Sequence, residues 1–180
     1  MNTCTGLLHD CIDANANNIM CIYIYCKSCT VLLHCAPGDC DDVGAVCMAH
    51  ALMMRGEAKL LAVVHNTGLD TGVGAISAIN TYYGQHVPVG AYKGQFNMGL
   101  RGPYVDDLAK NFPNKITNAS QAPDALKVYR RVLAAAPNSS VWISSIGFTT
   151  NLESLLKSGP DEESTLNGTE LVRRKVRGLA

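Results

Sequence analysis

Three carboxylates, Asp39, Asp41 and Asp42, fall within four residues of the stretch His34-Cys35-Ala36-Pro37-Gly38-Asp39-Cys40-Asp41-Asp42-Val43-Gly44-Ala45-Val46. Like charges packed this closely repel unless something positive sits between them. A hard cation is one answer, because Ca²⁺ and Mg²⁺ take carboxylate oxygens. A solvated acidic helix cap is the other, because Asp is a favoured N-cap residue. Ca²⁺ takes about 6–8 oxygens, so the cluster cannot complete a site alone. The turn Thr149-Thr150-Asn151 can add a backbone carbonyl to the same crevice, or simply cap the helix that follows it. His65 and Asn66 are polar groups at the lip of that crevice, although a strand-end histidine is often satisfied within the fold.

Two weaker patterns accompany this cluster. Gly68-x-x-x-Gly72-x-Gly74 follows an apolar run, but Ser77 stands where a dinucleotide loop has its third glycine. Cys26-Lys27-Ser28-Cys29 has the spacing of a redox or zinc half-site, and no second pair exists to complete four zinc ligands. The sequons at Asn118, Asn138 and Asn167 matter only in a secreted chain.

The elements that must position these groups can be read from periodicity. Val31-Leu32-Leu33 is a buried strand, and Val43 to Met54 is a helix with Val43, Val46, Cys47 and Met54 on one face. The acidic cluster therefore sits between a strand's carboxyl end and a helix's first turn, where the helix dipole favours negative charge. In open α/β sheets ligands bind at this edge. Gly56 marks the helix end, and Leu60 to Val64 is a second buried strand. A helix from about Val73 to Tyr83 follows, then a short strand that starts at Val87-Pro88-Val89, then a Gly/Pro-rich loop from Lys93 to Tyr104. Ala122 to Ala136 is helical, with Pro123 near its first turn and Leu126, Tyr129 and Leu133 on one stripe. Val141-Trp142-Ile143 and Ile146 form another strand, and Leu152 to Leu156 begins a further helix. The last helix is expected over Leu171 to Leu179, with Val172, Val176 and Leu179 inward and Arg173, Arg174, Lys175 and Arg177 on a solvated face. Alternating strands and helices predict a Rossmann-like α/β three-layer sandwich with a mainly parallel sheet. Because the chain stops straight after that helix, where another strand should follow, the domain is expected to be incomplete at its C-terminus.

Composition sets the remaining bounds. The 180 residues are 47% hydrophobic, enough for one sizeable core. Fifteen basic residues balance fifteen acidic ones, which argues against a nucleic-acid partner. No apolar stretch approaches the ~20 residues that cross a bilayer. All eight cysteines lie in the first 47 residues, which fits reduced thiols in a cytoplasmic protein better than a disulfide framework. Residues 1–29 differ from the rest and form an atypical extension. Its run Ile19 to Cys26 lacks a basic flank and a cleavage pattern, and reads as an extra strand or a poorly ordered extension.

From Thr30 onward the chain resembles the inosine/uridine-preferring nucleoside hydrolases, in several blocks that occur in the right order. They are Asp39-Cys-Asp-Asp-Val-Gly-Ala-Val, Gly56-Glu-Ala-Lys-Leu-Leu-Ala-Val-Val-His-Asn-Thr-Gly, Ala78-Ile-Asn-Thr-Tyr-Tyr-Gly and Pro88-Val-Gly-Ala-Tyr-Lys-Gly, then Tyr129-Arg-Arg-Val-Leu, Ser145-Ile-Gly-Phe-Thr-Thr-Asn-Leu and Leu171-Val-Arg-Arg-Lys-Val. The resemblance implies that residues 30–180 are the N-terminal part of a Ca²⁺-dependent hydrolase domain. Such enzymes cleave the N-glycosidic bond of ribonucleosides to ribose and free base, and tend to form homo-oligomers. Carried over, Asp42 and the carbonyl of Thr150 would ligate Ca²⁺, with Asp39 a further candidate. Asp41 and Asn66 would hold ribose hydroxyls. The family's motif, D-x-D-P-G-x-D-D, opens with two aspartates, and the second also deprotonates the attacking water. One register puts Cys35 and Pro37 at those places; the other puts His34 and Ala36 there. Neither supplies an aspartate. The family's downstream half, with another Ca²⁺-binding Asp and usually a histidine acid, has no counterpart in this sequence. The expectation is a hydrolase-like chain with little or no turnover, or a non-catalytic nucleoside- or ribose-binding fragment.

Overall fold

The computed structural model describes residues 29–35, 40–95 and 103–180. Most of the 1–29 extension, and Ala36, Pro37 and Asp39, lie outside the described residues. The elements run β1 (Cys29–Cys35), α1 (Cys40–Met54), β2 (Ala58–His65), α2 (Gly72–Tyr82), β3 (Val89–Ala91), α3 (Pro103–Asn111), a 3₁₀ turn (Ala119–Gln121), α4 (Ala125–Ala135), β4 (Val141–Ser145), α5 (Thr150–Lys157), α6 (Gly168–Lys175) and β5 (Val176–Leu179). The strands make one sheet in the order β3-β2-β1-β4-β5, and every pairing in it is parallel. The mainly parallel α/β sheet read from the sequence is therefore present.

Apolar burial on both sheet faces explains why β2 is an almost unbroken apolar run. Leu60 and Val63 meet Val46 and Ala49 of α1 and Val73, Ile76 and Ile79 of α2 on one face. Ala62 and Val64 join Val128, Tyr129 and Leu133 of α4, Leu155 of α5 and Leu171 of α6 on the other. These are the three layers. α1 and α2 end alike. Gly56 (φ 70°) and Gly84 (φ 64°) adopt the left-handed conformation that glycine reaches without a Cβ clash. Gly56 N–H then bonds the Met53 carbonyl at 3.0 Å and Glu57 N–H the Leu52 carbonyl at 2.9 Å. Gly84 and Gln85 repeat the pattern on Thr81 and Asn80, so both helices close with a Schellman motif.

Two polar side chains hold the α4–α6 side. Arg130 of α4 is fully buried. Its Nε donates to Asp161 Oδ2 at 2.6 Å, Nη1 to Ser158 Oγ at 2.8 Å, and Nη2 to the Ser164 and Leu166 carbonyls at 3.0 and 2.8 Å. The guanidinium beside Asp161 holds that carboxyl below its usual range. Asn167 caps α6, accepting Glu170 N–H at 2.9 Å while Glu170 Oε2 accepts Asn167 N–H at 3.1 Å.

Several boundaries differ from the sequence reading. The helix expected over Leu171 to Leu179 ends at Lys175, and Val176–Leu179 is a strand paired with β4. Val176 and Leu179, three apart, imitate a helical stripe, but the vacant edge of β4 offers main-chain partners that a helix would not use. The strand expected after that helix is thus already present. Helix α3 occupies the end of what reads as loop; it starts at Pro103 and buries Val105 and Ala109. Helix α4 starts two residues after Pro123, with Asp124 as N-cap accepting Leu126 N–H at 2.7 Å. The third strand, expected to start at Val87, runs over Val89–Ala91. Among the described residues no helix is long and apolar enough to cross a membrane.

Candidate functional site

Because β2, β1 and β4 are neighbours and all parallel, their carboxyl ends lie along one edge of the sheet. Asp42 lies in the first turn of α1 after β1, Asn66 directly follows β2, and Thr150 opens α5 after β4. The topology therefore brings these three predicted residues to a common edge. Asp42 is 5% exposed and Asn66 fully buried, whereas Asp41 is exposed and its Oδ1 accepts the Asp42 N–H at 2.9 Å.

The hydrogen-bond state of these groups narrows what they can do. Asn66 Nδ2 donates to the Phe148 carbonyl at 3.2 Å, which leaves Oδ1 as the atom with capacity. That Oδ1 and the Thr150 Oγ1 are both buried with no hydrogen-bond partner among the described residues. The Thr150 carbonyl, by contrast, accepts from Ser154 Oγ at 3.0 Å along the first turn of α5. Within Thr150 the unpartnered oxygen is therefore the hydroxyl, not the carbonyl that the family resemblance singles out. Thr149, at the N-cap position, makes no side-chain cap bond. A buried acceptor without a donor costs about 1–3 kcal/mol, so an edge carrying such groups suits a ligand that brings hydroxyls or positive charge.

The donor set consists of oxygens, which fits a hard cation rather than a thiophilic metal. Among the described residues no group of three or more His, Cys, Asp or Glu side chains could hold a metal ion. Asp39 lies outside that set.

Other residues singled out by the sequence have structural work. His65 is fully buried, its Nε2 lies 2.9 Å from Thr67 Oγ1, and a Cβ on Gly72 would approach that nitrogen to 2.3 Å. It is a packed strand-end histidine. A Cβ on Gly74 would come within 2.7 Å of both Ala109 Cβ and the Thr117 carbonyl oxygen, so this glycine permits close helix packing and does not cradle phosphate. Ser77 Oγ accepts the Lys115 and Ile116 N–H groups at 2.9 and 3.1 Å.

The sequence reading missed a buried polar cluster between α1 and α2. His50 Nε2 lies 2.7 Å from Asn80 Oδ1, and Asn80 Nδ2 donates to the Val87 carbonyl at 3.0 Å. That amide orientation assigns the imidazole proton to Nε2. The ring stacks on Tyr83 at 5.0 Å, and burial pushes the His50 pKa down, with the Asn80 bond opposing. Burial also pushes the Cys47 thiol up, so it is not an activated nucleophile.

No family profile and no curated protein matches this chain. Among solved structures the chain is similar to a plant nucleoside hydrolase, with a TM-score of 0.48 and 14% identity over 83% of this chain and 46% of that one. The chain thus spans less than half the length of that protein.

Proposed function

We propose that this chain is a nucleoside-hydrolase-like domain that binds the ribose of a ribonucleoside, together with Ca²⁺, at the carboxyl edge of its sheet, and that it hydrolyses the N-glycosidic bond poorly. The observation that carries the reading is the meeting of Asp42, Asn66 and Thr150 at the ends of three adjacent strands, two of them with buried oxygens that lack a partner among the described residues. The family blocks in the sequence support it independently.

In this reading Asp42 and an oxygen of Thr150 hold the cation, with Asp39 as a third ligand. The cation would hold ribose hydroxyls and a water in place and polarise them. Asp41 accepts ribose hydroxyls, and so does Asn66 through Oδ1, since its amide nitrogen is engaged by Phe148. Proton abstraction from water is the missing step. Ala36 or Pro37 stands where the family has its aspartate, and neither can take a proton. Loss of a general base lowers a rate by about 10²–10⁴.

Calorimetric titration with CaCl₂, then with inosine or uridine in the presence of Ca²⁺, tests the binding half. Chromatographic assay of free base tests the catalytic half. The expected outcome is Ca²⁺-dependent nucleoside binding with little base released. Asp42→Asn should weaken Ca²⁺ binding by more than the roughly 10–100-fold that follows loss of an outer-sphere partner. Absence of both Ca²⁺ and nucleoside binding would overturn the reading. Rapid turnover abolished by Asp42→Asn would overturn the claim of impairment only.

A further inference from the structure

The geometry points to Asn151 as a positioning residue: with Asn66 it forms a reciprocal amide clamp that fixes the turn after β4 against the end of β2. The inference rests on the binding reading above for its consequence, but its geometry stands apart. Asn151 is 3% exposed, and its Nδ2 donates to the His65 carbonyl at 2.9 Å. In return, Asn66 Nδ2 donates to the Phe148 carbonyl at 3.2 Å. Each asparagine thus bonds the main chain of the segment that carries the other. No ladder bond can do this, because β1 lies between β2 and β4. The two amides tie the flanking strands together past the carboxyl end of the central one.

The clamp also sets orientation. An amide is planar with one donor side and one acceptor side. If Asn66 flipped, its Oδ1 would face the Phe148 carbonyl, acceptor against acceptor. The bond to Phe148 therefore fixes which atom of Asn66 is left for a ligand. Thr150, adjacent to Asn151, is held by the same pair. Asn151 is the second residue of α5, and its amide bonds the His65 carbonyl rather than its own helix. The His65 carbonyl also accepts Tyr92 N–H at 3.1 Å, so losing Asn151 does not orphan it. The loss falls on position rather than on overall stability.

Amide hydrogen exchange of the full chain, without ligand, compares wild type with Asn151→Ala. Exchange is expected to rise roughly tenfold in peptides covering 146–152 and 64–68, the scale of one lost buried hydrogen bond, and to stay unchanged over α4 and α6. Unchanged exchange at 146–152, or an equal rise everywhere, overturns the clamp. Should Asn151→Ala fail to fold, the near-isosteric Asn151→Asp, which cannot donate, is judged by the same pattern. A parallel CaCl₂ titration should show Ca²⁺ binding weakened roughly tenfold in the variant; equal affinity would overturn the link to the site. If wild type binds no Ca²⁺, the functional reading falls, while the exchange pattern still decides the clamp.

Discussion

Two polar side chains of this molecule, Arg130 and Asn66, are both fully buried, and their surroundings are opposite in character. Around Arg130 every guanidinium nitrogen has a partner, and the partners come from one short span, Ser158 to Leu166. At the carboxyl edge, Asn66 Oδ1 and Thr150 Oγ1 have none among the described residues. A closed polar network rigidifies the fold that contains it. An open one weakens the fold until something binds. On the binding reading proposed above, the contrast sets a structural centre apart from a binding one.

The largest test of this contrast is Arg130→Met. Removing the hub takes the Arg130 donors from Asp161 Oδ2 and the Leu166 carbonyl, while the Ser164 carbonyl keeps Asp161 N–H at 2.9 Å and Asp161 is partly exposed, so urea denaturation should show a loss of about 1–3 kcal/mol. A loss under ~1 kcal/mol would mean the network is dispensable. Thr150→Val should act in the opposite sense. It removes a buried hydroxyl that lacks a partner, so unfolding free energy should hold or rise by up to about 1 kcal/mol, while Ca²⁺ binding weakens roughly tenfold. Unaltered Ca²⁺ binding would assign Thr150's part to its carbonyl instead. The smallest effect belongs to His50, between the two regions in character. Folding depresses its pKa, so the unfolded chain binds a proton that the folded chain resists. Stability should therefore be full above about pH 6.5 and decline as pH falls below it. Asp161, Glu153 and Glu163, whose pKa values are lowered, add their own loss only below about pH 4. Thermal melts of wild type and His50→Gln between pH 7 and 5 should show a shallower slope in the variant.

Much of the architecture was legible because burial on both faces leaves an unmistakable trace. Leu60 to Val64 reads as strand with no tertiary knowledge, and Gly56 marks the end of α1. Position 176 onward shows the opposite case. Gly178 pairs with Trp142, and a Cβ there would meet the indole at 2.4 Å, so that residue suits β5 for a reason found only on β4. Helix α3 was obscured by the glycines before it, although Pro103 at its first position was a usable signal. The acidic cluster and the Thr-Asn turn could be found by residue type. Asn151's partner could not, since its acceptor is a main-chain carbonyl 86 residues away. Arg130 escaped for the same reason: a buried arginine and a surface one are identical in sequence.

The strand order has a consequence for how the chain is made. β1 is translated first, but its second neighbour, β4, leaves the ribosome about 80 residues after β2 does. At roughly 5–20 residues per second, Val31-Leu32-Leu33 therefore waits about 4–16 s with one side unpaired. During that interval the N–H and C=O groups along one side of β1 stay unpaired, an open edge of the kind that chaperones shield from pairing with other chains.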